Sequence, residues 1–250
     1  MAIASTQALS TETPFQLARG SLHPLQRRAY AITVKVLAGD DDWGSGILIR
    51  RQNNTYWVLT NQHVLWIGDR YRVQTADGRT YAAQKSSQSR FGKDDLGLLQ
   101  FQSSEIPYET AKLGCSQTLA VGTPVFATGF PLPLTEFSSK GFKFTTGRIS
   151  LITQKAFEGG YQVGYSNDIE KGMSGGPVLN LQGEVVAVNG MHQEPLWGDP
   201  YVFQDGSKPK VTSRKILEHS SWAIPMETVL RSSSLAALRR SNCIAKAAQK

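Results

Sequence analysis

The sequence predicts an all-β protein of two six-stranded antiparallel β-barrels with a short helix near the C-terminus. Three observations carry that expectation. About a dozen short segments rich in β-branched and aromatic residues follow one another, each bounded by Gly, Pro, Asn or Asp turn signals. They fall into two groups of roughly six on either side of residue 118, and two small barrels with a cleft between them fit that count. Helical periodicity surfaces only near the end, where Met226, Val229, Leu230, Leu235 and Leu238 share one face. The division that follows is an N-terminal arm over 1–30, a first barrel over 31–118, a second over 119–225, and a C-terminal helix with a basic tail over 226–250.

Residues 1–20 are small, polar and weakly periodic and read as an arm, with helical character around Pro14 to Ala18 and one further turn over Pro24 to Tyr30. Ala31 to Leu37 is β-branched and partly alternating, the mark of a strand. Asp40-Asp41-Asp42 reads as a polar turn. Gly46 to Ile49 and Tyr56 to Thr60 form a hairpin around Asn53-Asn54, and Tyr71 to Thr75 and Thr80 to Ala83 flank a turn at Asp77-Gly78. Leu96 to Leu99 closes the first group. The second comprises Pro124 to Thr128, Phe142 to Thr146, Arg148 to Ile152 with Gly147 as a bend, Tyr161 to Tyr165, Pro177 to Leu179, Val185 to Val188 and Trp222 to Pro225.

Composition sets limits on function. The 250 residues are 40% hydrophobic and 9% aromatic, enough for a sizeable core. The formal charge of +7 raises the question of a nucleic-acid partner, but the basic residues are spread along the chain, with a modest concentration in Arg239, Arg240, Lys246 and Lys250, and no nucleic-acid-binding signature accompanies them. No apolar run reaches the length of a membrane span. Residues 1–20 lack the apolar stretch of a secretory signal; a periplasmic or secreted location is expected if a leader has been removed, and a cytoplasmic one otherwise. Cys115 and Cys243 are too few for a disulfide scaffold and lack metal-ligand spacing. They read as one buried and one tail thiol, with a disulfide between them left open.

The chemistry centres on Gly172-Met173-Ser174-Gly175-Gly176-Pro177. A serine on a glycine-rich turn can be exposed as a nucleophile, and the surrounding peptide N–H groups can converge on the oxyanion of an acyl-transfer intermediate. The same residues also suit a plain β-turn. A base is available in His63, directly after the apolar strand ending at Thr60, and an orienting carboxylate in Asp95, directly before Leu96 to Leu99. The order His63, Asp95, Ser174 is one of three known for such triads. A nucleophile elbow with Asp199 or Asp205 and His219 is the rival, but an elbow serine opens a helix, whereas Pro177 to Val188 reads strand, turn, strand.

These residues resemble the trypsin-like serine proteases, and most closely the protease domain of the HtrA/Deg family. The matching pieces are Gly44-Ser45-Gly46, Thr60-Asn61-Gln62-His63-Val64, Ala127 to Pro131, Thr146 to Ser150, Asp95 to Leu99, the serine turn itself and Trp222 to Pro225, over about residues 31 to 230. The resemblance implies His63 as base, Asp95 as orienting acid, Ser174 as nucleophile and the N–H groups of Gly172 and Ser174 as oxyanion donors. It implies hydrolysis of polypeptide substrates without metal or organic cofactor. Gly97 stands where alanine is usual in that family, and no PDZ domain is seen after Pro225. Met173 replaces the aspartate that trypsin-type zymogens use on activation, so that route is not expected.

The reading is a serine endopeptidase acting through an acyl-enzyme, with Val188, Asn189, Gly190 and Met191 pairing with the substrate backbone as an added strand. The alternative is a binding or holdase module on the same fold with little turnover. Asp168 lies six residues before Ser174, at the spacing that in trypsin-like enzymes reaches the base of the specificity pocket. It would select Arg or Lys before the cleaved bond; the HtrA/Deg resemblance points instead to an aliphatic side chain. A structural calcium site at Asp199 and Asp205 is a minor further reading.

Overall fold

The computed structural model describes residues 14–39, 42–86, 91–133, 141–193, 199–210 and 214–232, with Leu235 and Leu238. Twelve strands close into two barrels. In the first, β1 (Thr33–Ala38), β2 (Asp42–Gln52), β3 (Thr55–Thr60), β4 (Tyr71–Gln74), β5 (Thr80–Lys85) and β6 (Gly97–Gln102) run in the order β1-β2-β3-β6-β5-β4, with β4 pairing back onto β1. In the second, β7 (Pro124–Gly129), β8 (Lys143–Ile152), β9 (Val163–Tyr165), β10 (Pro177–Leu179), β11 (Val185–Met191) and β12 (Ser221–Pro225) run β10-β11-β12-β9-β8-β7 and close through β10 on β7. Every ladder is antiparallel.

Closure removes the free sheet edges that would otherwise invite pairing. The side-chain period of two puts Val34, Val36 and Ala38 of β1 inside the first barrel with Leu48, Val58, Leu99 and Phe101. Val125, Ala127, Ile149, Val163 and Val186 fill the second. A third cluster, including Ile47, Leu59, Leu98, Phe126, Val188 and Trp222, draws on strands of both barrels. Polar contacts add to it: Thr33 Oγ1 lies 2.9 Å from Thr128 Oγ1, and the Trp43 indole donates to the Phe130 carbonyl at 3.0 Å.

Several expectations need correction. The two helical pieces of the arm are one helix, α1 (Pro14–Ile32), which runs through Pro24. Leu25, Ala29 and Ile32 lie on one face and are buried in the inter-barrel cluster, so tertiary packing outweighs the hydrogen bond that Pro24 cannot make. The first strand consequently starts at Thr33 rather than Ala31. Strand β8 is continuous where Gly147 suggested a bend; the glycine is there because a Cβ would run into the buried Asn167 side chain. The final helix is α3 (Met226–Leu230), five residues long and buried at Met226, Val229 and Leu230. A second short helix, α2 (Arg214–Glu218), precedes β12 and was not anticipated. The Asp40-Asp41 turn and the basic tail lie outside the described residues. The expectation of a free thiol at Cys115 fails, since this cysteine is disulfide-bonded; Cys243 lies outside the described residues.

Candidate active site

His63 leaves the barrel at the end of β3 on a single 3-10 turn (His63–Trp66), anchored by the buried side chains of Val64 and Leu65. Asp95 sits just before β6. Its N–H donates to the Gly159 carbonyl at 2.8 Å and its own carbonyl accepts from Asn61 Nδ2 at 2.7 Å, so its backbone is clamped from both barrels. The carboxylate meets His63 twice. Oδ1 accepts the His63 backbone N–H at 2.8 Å, and Oδ2 lies 2.6 Å from His63 Nδ1. That fixes the imidazole with Nδ1 toward the acid and Nε2 free for the cleft.

The serine turn is held from the first barrel by Ser45, which is fully buried. The Ser45 N–H donates to the Ser174 carbonyl at 2.7 Å, its hydroxyl donates to the Gly172 carbonyl at 2.8 Å, and the same oxygen accepts the Phe130 N–H at 2.8 Å. From the second barrel, Asn189 Nδ2 donates to the Met173 carbonyl at 3.0 Å and the Asn189 carbonyl accepts the Gly175 N–H at 2.8 Å. The Lys171 carbonyl accepts the Leu132 N–H at 2.8 Å. In a trans peptide the following N–H then faces the opposite way. Among the described residues the N–H groups of Gly172 and Ser174 have no acceptor. Ser174 Oγ donates to the Gly190 carbonyl at 3.3 Å, and no hydrogen bond joins it to the His63 ring.

His63, Ser174 and Gly172 line one cavity of about 780 Å³. Its apolar wall comes from Trp43, Val64, Ile67, Leu132, Ile169 and Met191, and its polar groups are those of Asp42, Glu170, Lys171 and His192. Burial pushes the His192 imidazole below the ordinary histidine value, which favours its neutral form.

Other expected site residues fall differently. Asp168 is not in the cavity: its side chain is 82% exposed and lies 2.7 Å from Lys143 Nζ. Lys143 also pairs with Glu170. Burial opposes the Lys143 charge, but the hydrogen bonds and charges of Asp168 and Glu170 prevail and hold its pKa above the usual lysine value. Two carboxylates around one half-buried ammonium is a more favourable place for Asp168 than an apolar pocket. Of the expected substrate strand, Gly190 and Met191 line the cavity, but Val188 and Asn189 do not offer a free backbone. Val188 is paired with both Pro177 and Ile224, and Asn189 exchanges hydrogen bonds with the serine turn. Asp199 pairs with Lys208 and Arg214, whereas Asp205 pairs with Lys155. Each is neutralised by its own cations, and among the described residues no group of His, Cys, Asp and Glu could hold a metal. His219 is exposed and bonded to the Lys215 carbonyl, and β10 rather than a helix follows Ser174, which removes the elbow rival. Missed entirely were His192, Trp43, Ile67 and Leu132, which reach the cavity from segments far apart in the chain. Tyr161 was seen only as a strand residue; its hydroxyl lies 2.5 Å from Asp95 Oδ2.

With two closed six-stranded barrels and this cleft in view, the comparisons with known proteins are coherent. The trypsin-like peptidase domain family matches residues 44–188, more than half of the chain, and the chain belongs to that family. Among its relatives is a probable periplasmic DegP-like serine endoprotease of Buchnera aphidicola, 33% identical over 149 residues, covering 58% of this chain and 29% of the relative. Serine protease Do-like HtrA of Lactobacillus helveticus is 33% identical over 155 residues, covering 59% and 35% respectively. DegQ of Escherichia coli, a periplasmic pH-dependent serine endoprotease, is 32% identical over 146 residues, covering 58% and 30%. The matched region thus spans about a third of these relatives' length. The solved HtrA-type protease AlgW, bound to a tripeptide, shares the fold with a TM-score of 0.60 at 21% identity, covering 84% of this chain and 61% of that one.

Proposed function

We propose that the protein is a serine endopeptidase that uses Ser174, His63 and Asp95 through an acyl-enzyme. The observation that carries this reading is the His63–Asp95 pair, 2.6 Å apart, opening on the same cavity as Ser174 and the unpaired N–H of Gly172. Ser174 Oγ swings from the Gly190 carbonyl toward His63 as substrate enters; hydrogen bonds of this kind are often long or absent before substrate binds. Oγ attacks the scissile carbonyl carbon and its proton passes to His63 Nε2. The oxyanion so formed is met by the N–H groups of Gly172 and Ser174. The C–N bond breaks, Nε2 returns the proton to the leaving amine, and an ester to Ser174 remains. Water then attacks the ester carbonyl, giving its proton to His63, and the proton returns to Ser174 Oγ as the C–O bond breaks. Asp95 stays ionised and holds the imidazolium.

The substrate backbone pairs with β11 at Gly190 and Met191 only. The apolar lining of Leu132, Ile169 and Met191 suits an apolar side chain before the cleaved bond. Digestion of a peptide library is therefore expected to give cleavage after Val, Ala, Leu or Ile, unchanged in Asp168→Ala. Cleavage after Arg or Lys that is lost in Asp168→Ala would overturn the apolar reading; no cleavage of any peptide or unfolded protein would favour the holdase. A disulfide at Cys115 fits an oxidising compartment, and two of the relatives above are described as periplasmic. We extend that location to this chain.

A further inference from the structure

We propose that Tyr161 is a positioning residue for the acid–base pair, its phenol sharing Asp95 Oδ2 with His63 Nδ1 and so setting the strength and direction of that bond. The inference rests on the peptidase reading of the site. No sequence motif singled Tyr161 out, and it lies 66 residues from Asp95.

Four observations support it. The phenol O–H reaches Asp95 Oδ2 at 2.5 Å, and His63 Nδ1 reaches the same oxygen at 2.6 Å. Together with the His63 N–H on Oδ1, the carboxylate takes three donors. Tyr161 is only 7% exposed, which confines the ring, and its backbone is fixed where its carbonyl accepts the Phe157 N–H at 2.9 Å. Gly190 presses on it from the other side: a Cβ at Gly190 would fall against the Tyr161 hydroxyl. Gly190 is also the residue whose carbonyl receives Ser174 Oγ. One hydroxyl thus touches the acid and the strand residue on which the nucleophile rests. Finally, burial first, and then the Asp95 charge and hydrogen bond, push the Tyr161 phenol well above the ordinary tyrosine value. It remains an O–H donor toward Asp95 at any working pH.

The other ionisable groups around the pair are engaged elsewhere or face the cleft. Asp94 accepts from Gln204 Nε2 at 2.9 Å, and the Tyr165 hydroxyl donates to Asn189 Oδ1. Glu170 is tied to Lys143, while Asp42, Lys171 and His192 line the cavity beyond His63.

Two donors on one oxygen compete, and removing one strengthens the bond from the other. In the full chain, Tyr161→Phe is expected to move the proton resonance of His63 Nδ1–H downfield. Incorporating 3-fluorotyrosine at position 161, a stronger donor of nearly unchanged shape, is expected to move it upfield. With a peptide substrate, Tyr161→Phe should lower kcat on the order of tenfold with KM unchanged, because the Asp95 carboxylate loses one of the contacts that aim it, and with it the direction in which the imidazole is held. A role in packing alone would alter the melting temperature of Tyr161→Phe but give no graded, opposite shifts. A resonance identical in all three proteins would overturn the proposal. Labelling of Ser174 by a serine-reactive phosphonate, run in parallel, separates the two readings. Labelling with an unmoved resonance defeats this inference alone. Graded shifts without labelling uphold the shared hydrogen bond and defeat the peptidase reading.

Discussion

Replacing Ser174 or His63 by alanine is expected to reduce turnover of an unfolded protein substrate by on the order of a million-fold. The two losses should be of similar size and should not add in the double variant, because nucleophile and base act in one proton transfer. Each variant should remain folded. The Ser174 turn is held by its backbone, through Ser45 and Asn189, and not by the Ser174 hydroxyl, whose single 3.3 Å contact to Gly190 is dispensable. His63 lies at the cleft edge with its side chain 38% exposed, while the anchoring of its turn comes from Val64 and Leu65. The check is hydrolysis of a denatured protein alongside thermal melting. Ser174→Ala retaining more than a small fraction of wild-type turnover, with an unchanged melting curve, would remove Ser174 from the chemistry.

Asp95→Asn is expected to lower kcat about ten-thousand-fold with little change in KM. The carboxylate accepts from His63 Nδ1, which leaves Nε2 unprotonated and able to take a proton. The amide of the variant can instead present its N–H₂ to Nδ1, which puts the ring proton on Nε2 and leaves nothing to accept the serine proton. Substrate still binds, because Asp95 is absent from the cavity wall. Steady-state kinetics on one peptide separates the two constants. A loss below about tenfold would mean that Asp95 does not set the tautomer.

The site was legible where its chemistry sits in short segments beside strong strands. His63 follows β3 and Asp95 precedes β6, two strands that pair along their whole length, so the register from Thr60 to Gly97 brings both residues to the same end of the barrel. Ser174 announced itself through its glycines. What escaped was set by contacts between distant segments. Tyr161 reaches Asp95 only because the barrels dock, and the Asp94–Gly159 bridge that brings them together has no local signature. Asp168 shows the same limit: spacing gives a position along the chain but not the direction of a side chain, and Lys143, 25 residues away, supplies a partner outside the cavity. The single helix through the arm escaped for a related reason: the burial of Leu25, Ala29 and Ile32 that carries it through Pro24 is tertiary.

The central claim is that Ser174 is an activated nucleophile in an assembled site. Treatment of the full chain with a serine-reactive phosphonate, followed by mass spectrometry of its peptides, tests this without knowledge of the natural substrate. The account predicts one adduct, on Ser174, formed readily by the wild type and lost in His63→Ala. No adduct, an adduct on another serine, or equal labelling of Ser174 in His63→Ala would contradict it.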